Sequence, residues 1–115
     1  MSAKIYHNPR CSKSRDTLKL LTEHGVQPEI IEYLKHPPSA EELTEIVRKL
    51  GGSARDLMRT KEPEYRDNIL DDVSLSEEVL IEAIVRMPKL MERPVVVIGD
   101  KAAIGRPPEN ILKIL

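Results

Sequence analysis

The sequence predicts an α/β fold built on a small mixed four-stranded sheet, in the order βαβ, helical insert, ββα. Three observations predict it. Residues 3–34 hold a strand-like run, a helix-like run and a second strand-like run in succession. Residues from about 39 to 87 then show helical periodicity and no strand pattern. Beyond them, PVVVI (94–98) and KAAI (101–104) flank a two-residue Gly99-Asp100 turn.

In order, AKIY (3–6) is a short strand, and a helix from about Cys11 to His24 carries Leu18, Leu20 and Leu21. Gly25 stands where a left-handed residue ends a helix. EIIEYL (29–34), β-branched and aromatic, is the second strand. A strand–helix–strand unit of this length makes its two strands parallel. His36-Pro37-Pro38 interrupts the chain, and Ser39 with Glu42 reads as a capping box. Leu43, Ile46, Val47 and Leu50 recur at i, i+3, i+4 and i+7, so the next helix is amphipathic, and Gly51-Gly52 stops it. Residues 54–60 predict a short helix, and 61–73 an acidic stretch that is irregular or weakly helical. Ser74 or Ser76 caps a helix through Met87, with Leu80, Ala83, Ile84 and Met87 on one face. Pro107 fits the N1 position of a last helix bearing Ile111, Leu112 and Leu115. With 115 residues the expectation is one domain, 1–115, with a helical insertion at about 39–87.

Composition narrows the function. Hydrophobic residues make up 40% and charged residues 32%, as in a soluble globular protein. Aromatics are 3%, three tyrosines, so base-stacking platforms for single-stranded nucleic acid are nearly absent. A net charge of −1 supplies no basic footprint, and no nucleic-acid partner is expected. The charge is uneven, however. Lys4, Arg10, Lys13 and Arg15 stand without an acid in the first fifteen residues, leaving the remainder at −5. One cysteine excludes an internal disulfide, and His7, His24 and His36 offer no metal-ligand spacing, so no metal is expected. No apolar run approaches the ~20 residues of a membrane span, and MSAKIYHNP lacks a signal-peptide core. The expected setting is the cytoplasm, and the expected state a monomer.

Cys11 is the centre of chemical interest. It falls where the first strand gives way to a helix, so its sulfur meets the unpaired N–H groups and positive dipole end of a helix N-terminus. Arg10, Lys13 and Arg15 add positive field. Such surroundings lower a thiol's pKa from the ordinary value of about 8.5 and multiply the thiolate, which is the nucleophile. A free cysteine is usually a buried small hydrophobe, but Asn-Pro-Arg and Ser-Lys-Ser are poor company for an inert thiol. Ser14 stands where a Cys-x-x-Cys pair would carry its second thiol. Its hydroxyl can donate to a thiolate or cap the helix, but cannot form a disulfide. Any redox turnover therefore draws its second thiol from outside. His7 is placed to assist the thiol electrostatically or by proton transfer, or is an ordinary residue at a strand end.

HNPRCSKSR (7–15) resembles the ArsC family of glutaredoxin-coupled arsenate reductases. The resemblance continues in EIIEYLKHPPSAEEL (29–43), DLMRTKEPEY (56–65), LMERPVVV (90–97) and IGRPPENILKIL (104–115). Well-known members read Ala-Cys-Gly-Thr-Ser about the cysteine, where this chain has the bulkier and more basic Arg10-Cys11-Ser12-Lys13-Ser14. The family implies a thioredoxin-like fold and a mechanism in which the thiolate of Cys11 attacks arsenate. Glutathione, as co-substrate, and glutaredoxin then supply the reducing thiols, with no tightly bound cofactor. It also implies an oxyanion-binding set of Arg59, Arg93 and Arg106, whose planar guanidiniums suit tetrahedral oxygens. Pro94 matches the position where thioredoxin-like folds place a cis proline beside the reactive cysteine. Two other readings share this fold: a glutaredoxin-like thiol oxidoreductase with a substrate other than arsenate, and an Spx-like redox regulator that binds RNA polymerase.

Overall fold

The computed structural model describes residues 2–115. Two compact units are present: residues up to His36 together with Arg93–Leu115, and Pro37–Glu92.

The first unit holds a four-stranded sheet of β1 (Ala3–His7), β2 (Glu29–Glu32), β3 (Val95–Ile98) and β4 (Lys101–Ile104), in the spatial order β2-β1-β3-β4. β1 pairs parallel with β2 and antiparallel with β3, which pairs antiparallel with β4. The mixed sheet is thus the one the sequence predicts. The parallel pair needs a crossover, and α1 (Ser12–Glu23) supplies it. Ser14, Thr17 and Leu21 of α1, at i, i+3 and i+7, are its buried residues. That face is therefore polar near Cys11 and apolar at its far end. Leu21 joins Ile5, Val96, Ile98 and Ile111 in the core of this unit. α1 ends where Gly25, at φ +77°, takes the left-handed conformation and its N–H bonds to Thr22 O while Val26 N–H bonds to Leu21 O.

Two elements depart from the sequence reading. β2 stops at Glu32, not Leu34, because the N–H groups of Lys35 and His36 turn back onto Glu32 O. The last helix is not an α-helix begun by Pro107. It is a 3₁₀ helix over Pro108–Ile114, with Pro107 as its N-cap. Two successive prolines bring no N–H to that end. Asn110 secures it, its N–H bonding to Pro107 O and its side-chain amide to Arg106 O at 3.0 Å.

The second unit is helical. α2 (Ala40–Leu50) starts at the Ser39–Glu42 capping box, with Glu42 N–H donating to Ser39 Oγ at 3.1 Å, and ends at left-handed Gly51. A 3₁₀ turn (Ala54–Leu57), α3 (Pro63–Asp67), α4 (Glu77–Arg86) and a second 3₁₀ turn (Pro88–Leu90) follow. Ser76, not Ser74, caps α4. The irregular 61–73 stretch is gathered by Arg55, whose guanidinium donates to the Tyr65 hydroxyl, to Leu70 O and to Asp72 O. An isolated antiparallel bridge joins Met58 to Met91 in this otherwise strand-free unit. Among the described residues no helix is long and apolar enough to cross a membrane.

Candidate active site

The ends of β1, α1, β3 and β4 in the first unit bring residues to Cys11. β1 ends at His7, and Asn8-Pro9 turns the chain so that Cys11 N–H bonds to Asn8 O at 3.0 Å. Two further bonds secure this turn. Asn8 Oδ1 accepts from Arg10 N–H, and Arg15 Nη1 donates to Pro9 O at 2.9 Å. Cys11 is then the N-cap residue of α1, extended at φ −95°, ψ 124°. Helix N-termini leave their first N–H groups unpaired, and those of Lys13 and Ser14 lie where they favour a negative sulfur.

The thiol is part-buried, and that burial alone would raise its pKa. The Ser14 N–H, the charge of Arg93, the Lys13 N–H and a hydrogen bond from Arg93 outweigh it, so the pKa is lowered from the ordinary thiol value. Arg106 Nη1 also reaches the sulfur, at 3.8 Å, and is itself anchored on Arg93 O at 3.1 Å. Arg93 Nε is buried with no hydrogen-bond partner among the described residues. A buried donor left unpaired costs free energy that an acceptor at the site would recover.

Ser14 is 0% exposed and its hydroxyl is turned away from solvent. Its Oγ lies 2.6 Å from His7 Nδ1 and accepts Asn8 N–H at 3.0 Å. It is thus the main-chain N–H of Ser14, not its hydroxyl, that acts on the sulfur. His7 is 6% exposed, and burial lowers its pKa; Glu32 pulls the other way and Arg15 adds to the lowering. The imidazole is therefore neutral near neutrality, and it braces Ser14. The Arg93–Pro94 peptide bond is cis, and so is Arg106–Pro107.

Arg59 belongs to the second unit. Its N–H donates to Leu90 O at 2.6 Å beside the Met58–Met91 bridge, and its Nη2 lies 2.5 Å from Glu62 Oε1. Lys89 shares that acid, 3.6 Å from Glu62 Oε2. Of the residues singled out from sequence, His7, Cys11, Ser14, Arg93, Pro94 and Arg106 are thus brought into one unit, and Arg59 stands in the other. Sequence reasoning overlooked Asn8, which organises the turn before Cys11. The Asn-Pro dipeptide was the available signal. Among the described residues no group of three His, Cys, Asp or Glu side chains is arranged to hold a metal.

The chain matches a known family. The ArsC family model matches residues 6–114. A relative from Escherichia coli K12, the uncharacterized protein YfgD, is 59% identical over 113 residues, 97% of this chain and 95% of its own. An arsenate reductase of Haemophilus influenzae is 52% identical over 116 residues, covering 100% of both chains. Among solved structures, an arsenate reductase from Vibrio cholerae matches with a TM-score of 0.96 at 49% identity, over 100% of this chain and 98% of that one. With its cysteine at a helix N-terminus, its four-stranded mixed sheet and a match over nearly its whole length, this chain belongs to the ArsC family and has that family's thioredoxin-like fold.

Proposed function

We propose that this protein is an arsenate reductase in which Cys11 is the nucleophile and Arg59, Arg93 and Arg106 bind the oxyanion. The observation that carries the reading is the sulfur itself. It is reachable by solvent, favoured as thiolate by α1 and Arg93, and faced by a second guanidinium from Arg106. An anion approaching a thiolate is repelled unless its charge is neutralised, and arginines supply that neutralisation without losing their protons.

The thiolate attacks arsenic and displaces one oxygen as water, forming an S–As(V) bond. A glutathione thiolate then attacks the Cys11 sulfur. The S–As bond breaks with its electron pair passing to arsenic, so arsenite leaves as As(III) and Cys11 is left in a mixed disulfide with glutathione. A glutaredoxin thiolate attacks the glutathione sulfur of that disulfide and frees Cys11 as thiolate. No resident cofactor is required, since the electrons come from thiols. Dependence on glutathione fits the single cysteine of the chain and a reducing, cytoplasmic setting. The protein acts as a monomer in this scheme.

The test couples purified protein to arsenate, glutathione, glutaredoxin and NADPH-dependent glutathione reductase. Arsenate-dependent NADPH consumption that is abolished by Cys11→Ser is expected. No arsenate-dependent consumption, with turnover only on glutathionylated protein, overturns the substrate assignment. Full turnover in Cys11→Ser overturns the nucleophile.

A further inference from the structure

The residues behind the active-site loop are packed in a way that the reaction scheme leaves unexplained. Among the described residues Thr17 is one of three buried polar residues, at 0% exposure, nearly two turns along α1 from Cys11. Its hydroxyl donates to Lys13 O at 2.8 Å, the usual bond of a helical threonine to the carbonyl four residues back. It also lies 3.4 Å from Gly105 O, a contact spanning 88 residues of sequence. Gly105 N–H in turn donates to Pro94 O at 2.9 Å. Thr17, Gly105 and Pro94 therefore form one packed contact, and the residues adjoining it in the chain are Arg106 and Arg93.

Gly105 has no room for a side chain. A Cβ there would sit 2.4 Å from Thr17 Oγ1, 3.0 Å from Thr17 Cγ2 and 2.9 Å from Pro94 Cγ. Carbon does not approach oxygen or carbon so closely, so the chain before Arg106 lies flat on Thr17 only because residue 105 is glycine. Both β-substituents of Thr17 take part, the hydroxyl as donor and the methyl as floor. Arg106 leaves this contact directly and places Nη1 on both Cys11 Sγ and Arg93 O.

We propose that Thr17 is a positioning residue: packed against Gly105, its side chain sets the height of Arg106 and Arg93 over the sulfur of Cys11. Thr17 touches no reacting atom. It acts through Gly105, which sets where Arg106 begins, and through the bond from Gly105 N–H to Pro94 O, which ties in where Arg93 ends. The inference rests on Cys11 being the nucleophile and not on arsenate being its substrate.

The experiment therefore reads the thiol directly, as the rate of iodoacetamide alkylation of the intact protein against pH, with circular dichroism to confirm folding. Other groups acting on the sulfur, the N–H groups of Lys13 and Ser14, are unchanged in every variant. Gly105→Ala should lift the guanidiniums away and slow alkylation near neutral pH about threefold or more, with the titration limb moving to higher pH. Adding Thr17→Ala removes two of the three atoms that the new methyl meets, Pro94 Cγ remaining, so the double variant should recover part of the lost rate. Thr17→Val, which keeps the shape and loses the hydroxyl, should also slow alkylation, and Thr17→Ser should restore it. A folded Gly105→Ala with unchanged titration overturns the proposal, as does a double variant no faster than Gly105→Ala alone. Should Gly105→Ala fail to fold, a Thr17→Val protein that titrates like the parent overturns it equally.

Discussion

Replacing Arg93 by glutamine tests the electrostatics of the site most directly. The substitution removes one positive charge and one hydrogen bond to Cys11 while keeping a polar side chain. A unit charge about 4 Å from another is worth roughly 4 kcal/mol at an effective dielectric near 20. Cys11 is only part-buried, so solvent removes half or more of that, and about 1.5–2 kcal/mol of thiolate stabilisation should be lost. At any pH below the titration midpoint this is a roughly ten- to thirtyfold loss of thiolate. Arg106 also contacts the sulfur, at 3.8 Å, but its guanidinium is exposed, so Arg106→Gln should cost less, about threefold. The sign is fixed by the direction of the shift. A thiol whose pKa is lowered reacts once pH rises through its own midpoint, so losing Arg93 moves the rising limb to higher pH. Iodoacetamide alkylation rates across neutral pH, at low and at high salt, measure this. An Arg93→Gln limb that coincides with the parent's, or an Arg106→Gln effect larger than that of Arg93→Gln, would refute the reasoning.

The remaining predictions concern stability. His7 has its pKa lowered by burial, so between the ordinary histidine midpoint near 6.5 and its own lower one only the unfolded chain takes up the proton. Its contribution is full above that range and is lost as pH falls through it. The Tm advantage of the parent over His7→Gln should therefore shrink from about pH 7.5 to about pH 5, and parallel Tm curves would contradict the neutral, buried imidazole. Ser39→Ala removes the hydroxyl that accepts Glu42 N–H and breaks the capping box of α2, costing about 1 kcal/mol in urea unfolding. Leu21→Ala opens a cavity beside Ile5, Val96 and Ile111 and should cost about 2–5 kcal/mol, with the alkylation limb of any remaining folded protein unchanged.

What was legible in the sequence was what is local. Ser39 and Glu42 are three residues apart, and Gly25 and Gly51 end their helices in the left-handed conformation that glycine tolerates. Cys11 belongs to the same class, since a helix N-terminus acts on a residue placed within its first turn. What was not legible is which distant group takes a polar atom. The hydroxyl of Ser14 is in reach of Cys11 by spacing, but His7, seven residues back, takes it. Met58 and Met91 pair across a stretch with no strand pattern, because a two-residue bridge needs none. Thr17 reads as an unremarkable helical residue until Gly105 is set against it.

The arginines show how sheet register turns these local facts into a site. In β3 and β4, Val95 stands opposite Ile104, so the residues just before one strand and just after the other, Arg93 and Arg106, emerge at the same end of the hairpin. Tyr6 of β1 stands opposite Val95, so the loop carrying Cys11 leaves at that end too. Parallel pairing of β1 with β2 through α1 points the N-terminus of the helix back toward it. Strand side chains alternate between faces, and a slip of one residue in the β3–β4 pairing, with β3 held by β1, would both turn Ala103 of β4 away from the core and move Arg106 along the sheet from Arg93. The pairing that seats Ala103 on the core therefore also sets the spacing of the two guanidiniums. In this chain the hydrophobic register and the electrostatics of Cys11 are one constraint.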